Sequence, residues 1–448
     1  MKNVRSLGKT AAATLLLITA AAACWGKTCK LEVSTPKPIL PVDAKQTICV
    51  KVGVTGFAME ADAPRKPLNI AMVLDRSGSM SGDKIEQARE AAAAAIELMK
   101  PDDIVSIIAY DTEVETIVPA TKRGDGKEIL EKIKKLEPGG TTALYAGTQA
   151  GGKEVKKFLD KEKVNRVILL SDGLANVGPS SPEEASTLGQ KLGGDGICVT
   201  TLGLGNGYNE DLMMKLSQAS DGNHVYITQA SNMVEVFDEE FQTATKVVAQ
   251  EVSGKLVCEE KVKPIRILNR EGKIDGQTVS FDWNQIYSGH ERYVLIEVEV
   301  PAGEDGETKK IATAHVSYAN GETYAADELS ASLSVSYSKD KEKIEKAIDK
   351  KVMEEYTIQT ANLENMRATQ LRDEGKIEEA AVLLRKNADF LRSASESLGG
   401  SETLDESAAQ NSAQAEVIGD ESAWSSNRKI MRSHQFAPAN QQMSAPVK

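Results

Sequence analysis

The chain has 448 residues, a formal net charge of −12, and only 4% aromatic residues. That length divides into more than one folded domain. Its acidic residues are spread rather than blocked, and no basic patch is interleaved with aromatics, so nucleic acid is a poor candidate partner.

At the N-terminus, Lys2, Arg5 and Lys9 precede an apolar stretch, Ala11 to Ala23, that is too short to span a bilayer and ends in small residues. Residues 1–23 are expected to be a secretory signal peptide. Ala21-Ala22-Ala23-Cys24 also resembles a bacterial lipoprotein cleavage site with Cys24 as the lipidated residue, although Leu is typical where Ala21 stands. Ordinary cleavage after Ala23 is the alternative. The sequence shows no later membrane-spanning stretch, so the expected location is the periplasm or outer envelope, with any membrane attachment through the Cys24 lipid. In that oxidising setting Cys29 and Cys49 can bridge, whereas Cys198 reads as a buried free thiol. Cysteine and histidine spacing does not suit zinc.

Residues 24–65 read as strands, with Val50, Val52 and Val54 alternating. Between residues 66 and 246, short apolar runs alternate with helical patterns, the signature of a doubly wound, mostly parallel sheet. The strands are expected at Leu68–Leu74, Ile104–Tyr110, Val114–Val118, Arg166–Ser171, Ile197–Leu202 and Val225–Ile227. Asp75-Arg76-Ser77-Gly78-Ser79 follows the first of these and precedes a helix over Asp83–Met99, marked by Ile85, Ala88, Ala92 and Ile96. A carboxylate and two hydroxyls therefore fall at the carboxyl end of a central strand, where ligands bind in open α/β sheets. These hard oxygen donors suit Mg²⁺ or a similar divalent ion. Gly139-Gly140-Thr141-Thr142 is a glycine turn entering another helix, and Arg166–Ser171 ends on Asp172-Gly173.

The arrangement Asp-x-Ser-x-Ser, then Thr, then Asp, each at a strand end, resembles the metal-ion-dependent adhesion site of bacterial von Willebrand factor type A domains. Motif for motif, Asp75, Ser77, Ser79 and Asp172 carry over; Thr141 and Thr142 are adjacent, and the distance to Leu144-Tyr145 favours Thr142. The resemblance runs from Pro67 to Lys246 and takes in Tyr208-Asn209-Glu210-Asp211-Leu212 and Ser220-Asp221-Gly222-Asn223. It implies hydroxyl ligands from Ser77, Ser79 and Thr142, carboxylates from Asp75 and Asp172 bound directly or through water, and Mg²⁺ (or Mn²⁺ or Ca²⁺) as the ion. An open coordination position then accepts an acidic side chain of a protein partner. Specificity would reside in the surrounding loops, Met80–Gly82, Gly139–Tyr145 and Leu174–Pro182, whose scarce aromatics suggest weak or multivalent contact.

Residues 247–337 become all-β, with Val294, Ile296, Val298 and Val300 on one strand face. With residues 24–65 they make an antiparallel sandwich into which the α/β domain is inserted, an arrangement the resemblance supports. Residues 338–398 read as a helical hairpin broken at Gly375, and 399–448 as a disordered tail with Trp424 and Phe436 as candidate partner anchors. Enzyme motifs are wanting: Gly203-Leu204-Gly205-Asn206-Gly207 has Tyr208 where a dinucleotide turn needs its third glycine, and no Gly-x-Ser-x-Gly surrounds Ser77. His-Glu-x-x-His is missing too. A metal-dependent protein-binding or adhesion module is the expected function; the alternatives are a calcium-activated channel-like accessory, a structural envelope protein and, last, a metal-dependent hydrolase.

Overall fold

The computed structural model of the protein describes residues 22–59, 65–443 and 445–448. Residues 1–21 of the expected signal peptide lie outside these. The described residues open with four strands, β1 (Ala22–Trp25), β2 (Cys29–Ser34), β3 (Ile39–Pro41) and β4 (Gln46–Gly56). An α/β domain follows: β5 (Leu68–Asp75), α1 (Asp83–Leu98), β6 (Ile104–Tyr110), β7 (Val114–Lys122), α2 (Lys127–Ile133), α3 (Leu144–Lys156), β8 (Val164–Ser171), α4 (Pro182–Gly194), β9 (Cys198–Leu204), α5 (Glu210–Ala219), β10 (His224–Ile227) and α6 (Met233–Thr245). Strands then return as β11 (Val247–Cys258), β12 (Lys263–Ile267), β13 (Lys273–Asp275), β14 (Thr278–Tyr287), β15 (Glu291–Val300), β16 (Thr308–Asn320) and β17 (Ala326–Ser338). Five helices follow among the described residues: α7 (Lys341–Lys346), α8 (Lys350–Asp373), α9 (Ile377–Leu398), α10 (Glu402–Val417) and α11 (Trp424–Asn440).

The central sheet has the order β10-β9-β8-β5-β6-β7 and is parallel except for β7, which runs antiparallel to β6 at the edge. Every residue of β5 and β8 is buried, as expected of strands covered by helices on both faces. From β5 the chain moves one way to β6 and later returns to β8 on the other side. The switch point of the winding therefore lies between β5 and β8, and the carboxyl ends of these two strands carry Asp75 and Asp172.

The sandwich pairs a β1-β2-β4-β15-β12 sheet with a β13-β14-β11-β16-β17-β3 sheet. Alternation along its strands sends Val50, Val52, Val54, Val294, Ile296 and Val298 into one core with Phe281, Trp283 and Leu333. The α/β domain is inserted between β4 and β11, and Ser288 donates to the Lys246 carbonyl (2.7 Å) where the chain re-enters the sandwich.

Two expectations are corrected. Cys29 and Cys49 do not bridge, and all five cysteines are free thiols. The antiparallel register sets Cys29 opposite Gly56, seven residues along β4 from Cys49, a separation of about 20 Å or more against the several ångströms a disulfide spans.

The stretch 399–448 is not a disordered tail, because α10 and α11 fold back on α8 and α9 to extend the hairpin. Leu384, Ile418 and Met431 pack in one apolar cluster there and Leu391 and Leu404 in another, and buried amides add to them. Asn365 Nδ2 donates to Asn411 (2.9 Å) and Gln414 (2.7 Å), Asn387 donates to Asn411 (2.9 Å), and Gln435 donates to Asn365 (2.7 Å) and Thr369 (2.8 Å). Trp424 lies under the Arg372 guanidinium and Phe436 is buried, so both anchor the chain to itself rather than to a partner.

Candidate metal centre

Asp75 closes β5 fully buried. Its Oδ1 accepts the Ser77 amide (2.8 Å) and its Oδ2 the Ser171 hydroxyl (2.7 Å), with the Tyr110 hydroxyl farther off at 3.4 Å. Burial pushes the Asp75 carboxyl above its ordinary range, while the donors from Ser77 and Ser171 oppose that rise. Burial also lifts the Tyr110 phenol well above its usual value, so it remains a neutral donor, held by the Leu170 carbonyl at 2.9 Å.

After Asp75 the backbone makes a single 3₁₀ turn, Gly78–Met80, before α1 begins. That turn brings Ser77 Oγ within 3.0 Å of Ser79 Oγ, and Ser79 in turn donates to Asp172 Oδ1 at 2.6 Å. The glycine turn before α3 comes alongside: Gly78 N–H donates to the Gly140 carbonyl (3.1 Å) and Gly139 N–H to the Arg76 carbonyl (2.7 Å). Gly140 needs to be glycine, since it has φ +68° and a Cβ there would meet Thr112 Oγ1 at 2.7 Å. Thr141 turns to Thr112 (3.0 Å), away from the other hydroxyls, whereas Thr142 is buried. Thr142 Oγ1 and Ser79 Oγ lie 3.0 and 3.4 Å from the same point, where a Cβ on Gly173 would stand. Asn176 clasps Thr142 reciprocally, accepting its N–H (2.8 Å) and donating to its carbonyl (3.2 Å).

Asp75, Ser77, Ser79, Thr142 and Asp172 thus come together from three turns at one end of the sheet, and Cys24 is remote from them, in β1 opposite Leu31. Sequence reasoning missed several supporting groups. Ser171, whose hydroxyl holds Asp75, is signalled by a polar residue ending an apolar strand. Gly207, from the loop after β9, presses so closely that a Cβ would meet the Asp172 carbonyl at 2.4 Å. Lys84, whose ammonium reaches Asp172 Oδ2 at 2.5 Å, is signalled by a cation in the first turn of a helix, where the dipole disfavours it. Arg76 turns outward to Asp111 and Glu115, each at 2.8 Å.

The von Willebrand factor type A domain family model matches residues 69–240. These residues form a von Willebrand factor type A domain. An uncharacterised Synechocystis protein, sll0103, is 30% identical over 198 residues, covering 44% of this chain and 46% of that protein. Uncharacterised YfbK of Escherichia coli is 26% identical over 190 residues, 42% of this chain and 33% of its own. Human inter-alpha-trypsin inhibitor heavy chain H3 is 30% identical over 182 residues, 38% of this chain and 20% of its own. The chain spans less than half the length of these curated relatives.

Among solved structures, a von Willebrand factor type A protein from Catenulispora acidiphila superposes with a TM-score of 0.67 at 15% identity, covering 90% of this chain and 99% of that one. The ArnB paralog VWA2 of Sulfolobus acidocaldarius gives 0.61 at 20% identity, covering 91% and 99%. Such likeness shows a shared fold that extends past the von Willebrand factor type A domain into the sandwich and helices. Domains of this type are protein-interaction modules.

Proposed function

We propose that the protein is a metal-dependent binding module, in which a divalent ion at Asp75, Ser77, Ser79, Thr142 and Asp172 captures an acidic side chain of a protein partner. The observation that carries this reading is the convergence of three hydroxyls and two buried carboxylates at the sheet's switch point. Hard oxygen ligands suit Mg²⁺, with Mn²⁺ or Ca²⁺ as substitutes, and a set in which neutral hydroxyls outnumber carboxylates would leave the ion electrophilic toward an incoming carboxylate. When bound, the ion supplies that Lewis acidity, and the chain's part is to fix the oxygens. Ser171 and the Ser77 amide orient Asp75, while Asn176 holds the Thr142 backbone. We read the site as binding rather than catalytic, because the Ser77 hydroxyl is paired with Ser79 and not with a base.

Thermal unfolding of the full chain tests the metal. Mg²⁺ or Mn²⁺ at about a hundred times its dissociation constant stabilises the native state by about 2.7 kcal/mol, a rise of roughly 3 °C in Tm for 448 residues unfolding together. Asp172→Ala should remove the rise while leaving a cooperative transition. An unchanged midpoint with every divalent ion would count against the site.

We further propose export to the cell envelope with Cys24 as a lipid anchor, supported by the charged and apolar N-terminal pattern. Cys24→Ser should then shift the protein from the membrane to the soluble fraction. Equal partitioning of both forms would refute the anchor.

A further inference from the structure

Lys84 occupies the second position of α1, where unsatisfied N–H groups and the helix dipole make a cation unfavourable. Its ammonium nevertheless bonds Asp172 Oδ2 at 2.5 Å, while Oδ1 of the same carboxylate receives the Ser79 hydroxyl at 2.6 Å. The two oxygens of Asp172 therefore have divided roles, one facing the hydroxyl cluster and the other facing a positive charge. The Asp172 side chain is fully buried and that of Lys84 is 38% exposed, so the charge is presented to the site from its solvent side. Arg76, also at this edge, is neutralised by Asp111 and Glu115.

Building on the metal reading above, we propose that Lys84 is a built-in counter-charge: it weakens the site's hold on a bare divalent ion and makes firm binding depend on the partner's carboxylate. With Asp75 and Asp172 ionised, Lys84 leaves the cluster with one net negative charge. A divalent ion alone then takes it to one net positive charge, and a single incoming carboxylate returns it to neutrality. Without Lys84, the ion alone would neutralise the cluster and the carboxylate would gain less. In a partly buried site, where charges interact more strongly than in water, these differences favour joint binding of ion and partner. The coupling is reciprocal, so the partner tightens the ion as much as the ion tightens the partner.

The test is calorimetric titration of the full chain with Mn²⁺ in carboxylate-free buffer, repeated with acetate as the carboxylate probe, on wild type, Lys84→Met, Lys84→Gln and Lys84→Arg. Both neutral variants should bind Mn²⁺ at least about tenfold more tightly than wild type, and Lys84→Arg should stay close to it. Acetate should tighten Mn²⁺ binding in wild type more than in Lys84→Met. Equal or weaker Mn²⁺ binding by the neutral variants would overturn the proposal, reducing Lys84 to a group that orients Asp172, while the metal site would stand. Failure of all four proteins to bind Mn²⁺ would remove the metal reading and this inference with it.

Discussion

Arg166→Ala is expected to destabilise the protein by about 3–5 kcal/mol, without touching the cluster of Asp75, Ser77, Ser79, Thr142 and Asp172. Arg166 lies in β8 with its side chain wholly buried, and it donates to Gln285 (2.9 Å) and to the Tyr287 hydroxyl (2.8 Å), with Glu240 at 3.4 Å. Glu240 belongs to α6, whereas Gln285 and Tyr287 belong to β14, so one guanidinium joins the α/β domain to the sandwich. Burial opposes its charge, but the Glu240 carboxylate and the hydrogen bond to Tyr287 keep it protonated. Truncation deprives a fully buried Glu240 carboxylate of its arginine and leaves a void between the domains. Arg166→Met combined with Glu240→Gln should lose less than Arg166→Met alone, because the pair is then neutral. Urea unfolding checks this. A loss under about 1 kcal/mol for Arg166→Ala would mean that the pair contributes little to the junction.

The α/β domain was readable from its periods because its strands are nearly uniformly apolar and its helices carry clean stripes. Ile104–Tyr110 lies inside the observed β6 to the residue, and β5 differs from expectation only by including Asp75. The residues of the candidate site are legible for a different reason: Asp75, Ser77, Ser79 and Asp172 stand in short motifs at or just after the ends of β5 and β8, and Thr142 in a glycine turn before α3. What could not be read was everything that reaches across the chain. Lys84 and Asp172 are 88 positions apart, and only the fold brings the ammonium to the carboxylate. Arg166 looked like the polar start of an apolar run, yet it is buried because Gln285 and Tyr287, over a hundred positions away, receive it.

The C-terminal helices failed the compositional test for the same reason. A composition of Ser, Ala, Gln and Asn hides a core, because large apolar residues such as Leu404, Ile418 and Met431 pack on α8 and α9 while Asn365, Asn387, Asn411 and Gln435 satisfy one another's amides. Ion pairs then dock α11 on the α/β domain. Arg428 reaches Glu210, Asp211 and Asp373, Lys429 reaches Glu210, and Arg432 reaches Asp211. Local patterning does not reach the α/β-domain ion-pair partners of α11, which lie some two hundred residues upstream.

Acidification should destabilise the protein steeply between about pH 6.5 and pH 3, and His224, shifted more strongly than His290 or His434, should contribute a large part of it. His224 opens β10 fully buried, with Nδ1 2.9 Å from the Thr201 hydroxyl, Nε2 3.4 Å from the Tyr208 hydroxyl, and its ring against Phe436 of α11. Burial, reinforced by the nearby charges of Arg432 and Lys429, pushes its pKa from 6.5 down to about 3. The native state therefore holds the imidazole neutral while the unfolded chain binds a proton below pH 6.5. Extra protons on the unfolded state mean that stability falls as pH falls, by about 1.4 kcal/mol per pH unit. The contribution is complete above pH 6.5 and exhausted near pH 3, a total of roughly 4–5 kcal/mol. His290, pushed down by burial to about 4, adds slope over the upper part of the same window. His224→Gln should unfold more easily at neutral pH, since the ring is packed and hydrogen-bonded, but its stability should decline less steeply with acid. Because the slope reports proton uptake and the offset reports packing, urea midpoints at a series of pH values separate the two. Parallel slopes for wild type and variant would show that His224 titrates normally. The change in slope would also place the burial of α11 against the domain, since exposing that face should let the imidazole take up its proton.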